Sequence, residues 1–383
     1  MVTIRDKTAI VGVGTTEFGP RYRELDPETT AYDLAAEAFE AALADSGLKK
    51  SDIDGLVSAR IPSYARLADV LGIRHPRLVN TYEGTGRMSG VALQTAVMAI
   101  VTGQADVVAC VYGNNGRSAG ARYGGGTGDL RGDNNTAIYD SMQGMTSPGA
   151  YVSMMYQRYR HLYNAPDDAL APVAINNRRN GALNPNAVMR KPITYEQYMS
   201  SRFIAEPLRL FDYCLINDGG VAFIVTSAER AKDLAKPPVY VSSTAAAGDL
   251  TNFYTSTDFF GRAANDVADR VFADAGVTPA DVDCVQIYDN FTPTILFSLE
   301  GFGYCKEGEA WEFVKDGRIE IDGQLPVNTS GGHTAESYMQ GWALHVEAVR
   351  QLRGEAGEAQ VPNCDIAQYI CVSPIVTSHI FRR

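Results

Sequence analysis

The feature that most narrows the fold of this chain is a repeat of long period. The stretch Asp45-Ser46-Gly47-Leu48-Lys49-Lys50-Ser51-Asp52-Ile53-Asp54 reads like Asp274-Ala275-Gly276-Val277-Thr278-Pro279-Ala280-Asp281-Val282-Asp283. Each copy follows a segment with helical apolar spacing, 31–44 and 262–273, and precedes a short apolar run, Gly55-Leu56-Val57-Ser58 and Cys284-Val285-Gln286-Ile287. Two more pairs recur in the same order: Val79-Asn80-Thr81 with Val327-Asn328-Thr329, and Met88-Ser89-Gly90-Val91-Ala92-Leu93 with Met339-Gln340-Gly341-Trp342-Ala343-Leu344. Each of the last pair leads to a strand, 106–111 and 366–372. One supersecondary unit used twice is the physical meaning of such a repeat. Each half runs strand, helix, strand, strand, helix, strand, which predicts an α/β fold with sheets buried between helices. Two similar halves predict pseudo-twofold packing, with the central helices of both halves against each other. The helix opening near Arg87 then has a counterpart opening near Tyr338, and residues at the two openings converge on one site.

The segment 114–210 fits neither half. It is rich in Gly, Tyr, Met and Asn and contains Gly124-Gly125-Gly126, a run without the Lys-Ser/Thr of a phosphate loop. It is read as an inserted loop or cap domain, a place where substrate contacts gather. The first half is then 1–113 with 211–235, closed by the strand after Asp218-Gly219-Gly220, and the second half is 236–383. The formal net charge of −11 argues against a nucleic-acid surface. No apolar run reaches the roughly 18 residues of a membrane span, and the N-terminus has no apolar leader. Cys110, Cys214, Cys284, Cys305, Cys364 and Cys371 include no Cys-x-x-Cys pair and sit mostly in apolar runs, and cysteines and histidines together show no metal-ligand spacing. These features predict a cytoplasmic protein with no bound metal and no membrane or nucleic-acid partner.

With the repeat, the insertion, Ala9-Ile10-Val11-Gly12-Val13-Gly14 at the start and a final strand through Cys371, the chain resembles the thiolase superfamily, and within it the lipid-transfer-protein branch. The resemblance implies a thiolase fold, two pseudo-symmetric halves in α/β/α/β/α layers with an inserted cap. Thiolases open the first central helix with a nucleophilic cysteine in a Cys-x-Ser-Gly context. Here Arg87-Met88-Ser89-Gly90 keeps the Ser-Gly and puts Arg87 in the cysteine's place. An arginine stays protonated and cannot accept an acyl group, so thiolysis by the usual covalent route is excluded and Arg87 is read as an electrostatic contact to coenzyme A or substrate. The Asn-Glu-Ala-Phe or His-Asp-x-Phe motif is Tyr288-Asp289-Asn290-Phe291 here, with Tyr288 in the Asn/His place. In Gly331-Gly332-His333-Thr334-Ala335-Glu336-Ser337-Tyr338, Tyr338 falls where the histidine of Gly-His-Pro belongs, and His333 lies in the loop before it. Cys371-Val372-Ser373 keeps the cysteine of Cys-x-Gly without the glycine, which favours a buried structural thiol.

Two tyrosines at two catalytic places, with the nucleophile missing, are similar to the steroid side-chain-cleaving aldolases of the lipid-transfer-protein group. The resemblance implies retro-aldol cleavage of a β-hydroxyacyl-CoA with a tertiary alcohol, of the 17-hydroxy-20-carboxyl-CoA type, to a 17-ketosteroid and propionyl-CoA. A base removes the hydroxyl proton, the Cα–Cβ bond breaks, an oxyanion hole holds the enolate, and an acid protonates its α-carbon. Tyr338 is assigned as base and Tyr288 as acid, the reverse staying open. Arg87 and His333 are the candidates to favour a phenolate. Backbone N–H groups near Gly331-Gly332 or Gly84-Thr85-Gly86, with Asn290, are the candidate oxyanion donors. The resemblance further implies a homodimer and a small acyl-CoA-associated partner with a zinc ribbon and an OB-fold, assembled as a heterotetramer. Two other readings stand beside this one: a thiolase with another nucleophile such as Ser89, and a non-catalytic acyl-CoA or sterol carrier.

Overall fold

The computed structural model describes residues 3–83, 86–121, 142–145, 147–250 and 256–383. The repeated Asp-x-Gly segments are helix ends. Helix α1 (Ala31–Ser46) stops at Gly47, φ 74°, and its counterpart, numbered α5 below (Gly261–Ala275), stops at Gly276, φ 68°. Both glycines take the left-handed conformation that closes a helix without a Cβ penalty. A short 3₁₀ turn follows each, with the Asp52 and Asp281 carboxylates accepting the N–H of Lys49 and Thr278 at 2.8 Å. The last residue of each copy ties in a neighbouring strand. Asp54 accepts from the N–H groups of Asp106 and Val107, and Asp283 from those of Asp365 and Ile366. The repeat is thus a cap, a turn and a strand anchor, each made by the side chain that recurs.

The strands are β1 (Thr8–Thr15), β2 (Gly55–Ala59), β3 (Leu78–Tyr82), β4 (Val107–Asn114), a cap hairpin β5 (Phe203–Ala205) and β6 (Leu208–Arg209), then β7 (Gly219–Ser227), β8 (Val239–Gly248), β9 (Cys284–Ile287), β10 (Ile366–Cys371) and β11 (Ile375–Arg382). The large sheet runs β3-β2-β4-β7-β1-β8-β11-β10-β9. It is two half-sheets joined at β1 and β8 by the pairs Ala9↔Tyr240 and Ile10↔Val239 alone. In each half a parallel pair (β2–β4, β9–β10) is extended by antiparallel strands. The counterpart of β3 is reduced to a single parallel bridge, Val285↔Val327.

The remaining long helices are α2 (Met88–Val101), α3 (Pro148–Tyr163), α4 (Ala171–Leu183), α6 (Pro293–Gly301) and α7 (Trp342–Arg353). Helix α2 packs on β2, β4 and β7 of its own half and on β8 and β11 of the other; α7 packs on β9 and β10 and also on β1 and β7. These two form the middle layer, with α1 outside β1, β4 and β7 and α5 outside β8 and β11. This is the layered thiolase arrangement. One symmetry expectation fails in detail. The repeat aligns Met88 with Met339, yet α7 begins only at Trp342, because Gln340 (φ 47°) and Gly341 (φ 86°) turn the chain left-handed just before it. That irregular start carries Tyr338.

Within the insertion, α4 is stitched to the loop before α7. Asn176 and Asn180 donate to the Val327 carbonyl, Asn180 also to Asn328, and Asn184 to Ser330. The Gly124-Gly125-Gly126 run lies outside the described residues. Among the described residues no helix is long and apolar enough to cross a membrane.

Candidate active site

The starts of the two central helices meet. A Cβ on Gly341 would lie 2.5 Å from Ser89 Oγ, 2.6 Å from the Tyr369 hydroxyl and 3.2 Å from the Tyr288 ring, so only a glycine lets α7 begin this close to α2. A Cβ on Gly86 would lie 1.7 Å from the Tyr288 hydroxyl. Tyr288 leaves the end of β9 and reaches this point with 3% of its surface exposed. Tyr338 arrives from the other side, half-buried, its N–H held by Asn217 Oδ1 at 2.8 Å. The two hydroxyls hydrogen-bond at 2.9 Å. Burial pushes the Tyr288 phenol well above its ordinary range, and Tyr338 and Cys371 beside it add to the shift. Tyr288 therefore holds its proton.

His333 packs against both rings, edge-on to Tyr288 at 4.7 Å and to Tyr338 at 5.3 Å between centroids. It is fully buried, and its Nε2 accepts the Gly341 N–H at 3.0 Å. A ring nitrogen that accepts carries no proton, so this imidazole is neutral with its N–H on Nδ1. Of the two ways of favouring a phenolate, as a cation or as a donor, that bond leaves His333 only the second. Arg87 is also buried, pairs with Glu83 at 3.0 Å and lies close enough to Cys371 to act on its thiol. Burial still pushes the Cys371 thiol up to about 12, which keeps it a thiol.

Of the expected oxyanion donors, the Gly331 N–H is engaged with the Asn328 carbonyl at 2.8 Å, and a Cβ on Gly332 would lie 2.5 Å from the Asp289 carboxylate. Gly84 and Thr85 lie outside the described residues. Asn290 is half-buried, its Oδ1 accepting from Phe291 N–H at 3.1 Å, which leaves its amide nitrogen as the donor of that side chain. Ser89, the alternative nucleophile, is fully buried, donates to the Gly86 carbonyl at 3.1 Å and pairs with the Tyr369 hydroxyl at 2.8 Å. Burial pushes the Tyr369 phenol up as well, so no base faces Ser89 there.

A cavity of about 460 Å³ opens against the insertion, lined by neither Tyr288 nor Tyr338 but reaching Cys214 and Thr334. Cys214 and Thr334 belong to its wall, Cys214 acting also on Tyr288, and Arg117, Arg178 and Arg202 line it with no carboxylate among the lining residues. Arg117 lies over the Tyr22 ring at 3.7 Å and Arg178 over the Phe211 ring at 5.1 Å, so the cations are braced on aromatic faces. Sequence reading missed Tyr369, Asn217, Asp289 and this arginine group. Asp289 stands inside the Tyr288-Asp289-Asn290-Phe291 motif but was given no role there, and only the fold brings the others to the site.

Residues 8–229 match the thiolase N-terminal domain and residues 245–380 the thiolase C-terminal domain-like family. The chain belongs to the thiolase family. It is 38% identical to a 17-hydroxy-3-oxo-4-pregnene-20-carboxyl-CoA lyase of Mycobacterium tuberculosis, over 91% of this chain and 92% of that one. To a steroid side-chain-cleaving aldolase of Thermomonospora curvata it is 37% identical, over 92% of each chain. Among solved structures, an Ltp2-ChsH2(DUF35) aldolase superposes with a TM-score of 0.90 at 32% identity, covering 99% of this chain and 98% of that chain. Human mitochondrial 3-ketoacyl-CoA thiolase superposes with a TM-score of 0.70 at 16% identity, which speaks for the shared fold alone.

Proposed function

We propose that this chain is a carbon–carbon lyase that cleaves a steroid β-hydroxyacyl-CoA of the 17-hydroxy-20-carboxyl-CoA type by a retro-aldol reaction, giving a 17-ketosteroid and propionyl-CoA. The observation that carries this reading is the 2.9 Å bond between the Tyr288 and Tyr338 hydroxyls, in a thiolase fold whose nucleophile position holds Arg87. The identity of more than a third to two steroid side-chain lyases supports it.

The reaction consumes and releases no net proton, and a coupled pair of phenols suits that balance. In one concerted shift, Tyr338 takes the proton of the tertiary hydroxyl at its oxygen and passes its own to Tyr288, which releases the proton it held. As the Cα–Cβ bond breaks, the bonding pair moves into the thioester as an enolate. The proton that Tyr288 released goes to the enolate α-carbon, and both phenols end as they began. Such a relay needs no standing phenolate, which agrees with a Tyr288 whose affinity for its proton is raised by burial. The Asn290 amide N–H is the side-chain donor assigned to the enolate oxygen. Coenzyme A is the carrier of the acyl group, and the cavity with Arg117, Arg178 and Arg202 offers its phosphates bidentate cations.

The working assembly is read as a homodimer that adds a DUF35-class partner of the zinc-ribbon and OB-fold kind, in a heterotetramer. The structural neighbour described as an Ltp2-ChsH2(DUF35) aldolase supports the partner's class. The test is turnover of a steroid tertiary β-hydroxyacyl-CoA with a DUF35 partner present. Propionyl-CoA and a 17-ketosteroid are expected in equal amounts. Tyr338→Phe is expected to lower kcat by about 10²- to 10³-fold with little change in KM, the range for losing a general base. Full activity of Tyr338→Phe, or binding without any cleavage by the wild-type complex, overturns the reading.

A further inference from the structure

The tyrosine pair is set by a buried contact chain that the reaction itself does not use. Asp289 is fully buried. Its Oδ1 accepts the His333 backbone N–H at 2.8 Å and lies 3.1 Å from His333 Nδ1, a close but oblique contact. Its Oδ2 accepts from Asn177 of the cap helix α4 at 2.7 Å, and the same Asn177 amide reaches Thr334 Oγ1 at 2.8 Å. On the far side of the imidazole, Nε2 accepts the N–H of Gly341, which opens α7. Asp289 directly follows Tyr288, and His333 lies in the loop that ends in Tyr338. The chain therefore joins the two loops that carry the phenols and packs the His333 ring against both phenols.

We infer that Asp289 and His333 are positioning residues for the proton relay: together they hold the Tyr288 and Tyr338 hydroxyls at bonding distance, with the cap helix clamped to them through Asn177. The inference rests on the retro-aldol reading. A carboxylate next to a ring N–H fixes which nitrogen carries the proton, and Nε2 must stay unprotonated to accept from Gly341. His333 thus acts by shape and orientation. If Asp289 is neutralised, the Nδ1 side of the ring loses its charged neighbour, the ring is held by the Gly341 N–H alone, and the relay distance is less tightly maintained. Small displacements of this kind cost rate while leaving substrate affinity largely intact.

The experiment is a kinetic cycle on the complex with its DUF35 partner, using a steroid tertiary β-hydroxyacyl-CoA. Asp289→Asn keeps the shape and removes the charge. We expect kcat to fall by about 10- to 100-fold, the range for a small misplacement of reacting groups, with KM within about threefold. In a Tyr338→Phe background, where the relay is already broken, the same substitution is expected to cost less than about threefold more, because coupled residues are not additive. His333→Gln, which can accept from Gly341 but places no ring against the phenols, is the second variant. It is expected to show the same kcat loss and the same lack of additivity, and it decides the matter if Asp289→Asn does not fold. Wild-type kcat in either folded variant, or an equal factor in both backgrounds, overturns the inference. Absence of turnover by the wild-type complex instead overturns the retro-aldol reading on which it rests.

Discussion

Glu336 lies two residues before Tyr338 with only 2% of its surface exposed, and its carboxyl is gripped by Ser330 Oγ at 2.7 Å and Asn184 Nδ2 at 3.0 Å. Burial, reinforced by the neighbouring Glu347, lifts its pKa from 4.5 to about 8. Between those values the folded chain keeps a proton that the unfolded chain has released. Glu336 therefore contributes stability that is complete below the unfolded pKa and is lost as pH rises through the folded one. Glu336→Gln imitates the protonated acid and removes this dependence. Between pH 5 and pH 8 the variant is expected to lose less unfolding free energy than the wild type, by on the order of a few kcal/mol. Urea unfolding of both proteins at the two pH values measures it, and identical losses would show that Glu336 does not titrate across this range. At this scale the candidate site was half legible. Tyr288, Tyr338 and Arg87 stand at the positions of the family's motifs, so the resemblance singled them out. Asn217 and Tyr369 carry no such mark, and Asp289, although inside the motif of Tyr288, shows its role only through hydrogen bonds across loops distant in sequence. The neutrality of His333 follows from a backbone N–H that no sequence pattern reports.

At the scale of elements, the repeat was readable because each recurring residue performs a local task. Gly47 and Gly276 end helices, Asp52 and Asp281 cap turns, and Asp54 and Asp283 pin neighbouring strands. The late start of α7 was not readable, since a helical pattern runs unbroken through Met339 and Gly341, and the left-handed turn there is imposed by contact with α2. Gly341 is the residue that permits it. A methyl group at this position meets Ser89 Oγ and the Tyr369 hydroxyl at distances no side chain tolerates, on a backbone that disfavours any side chain. Gly341→Ala is expected to destabilise the protein by about 2 kcal/mol or more through strain and overpacking. It is also expected to lower kcat, because the displaced helix start carries the N–H that His333 accepts. Chemical denaturation combined with steady-state kinetics on the same preparation checks both effects, and a variant of unchanged midpoint and kcat would contradict the close packing described for this corner.

For the whole molecule, the two halves differ in how their sheet edges are covered, and the homodimer proposed above would use the open one. The β9 edge of the large sheet is covered: Val285 exchanges hydrogen bonds with Pro326 and Asn328, and every residue of β9 is buried. The β3 edge is open among the described residues, its side chains alternating between half-buried and exposed, and Val79 leaves 39% of its surface outside. An uncovered edge strand presents a row of unpaired N–H and C=O groups, which is a template for another strand and a liability if left bare. Two copies of β3 meeting antiparallel about a twofold axis would satisfy both rows with one self-complementary contact. Glu83 directly follows this edge strand and pairs with Arg87 at 3.0 Å, so such pairing would set the two sites close to the twofold axis. A lysine on an edge strand opposes such pairing by placing a charge in the contact. The wild-type chain is therefore expected to sediment as a dimer, and Val79→Lys as a monomer with an unchanged circular dichroism spectrum. A Val79→Lys protein that still sediments as a dimer would move the interface away from β3, and a monomeric wild-type chain would remove the homodimer from the proposed assembly.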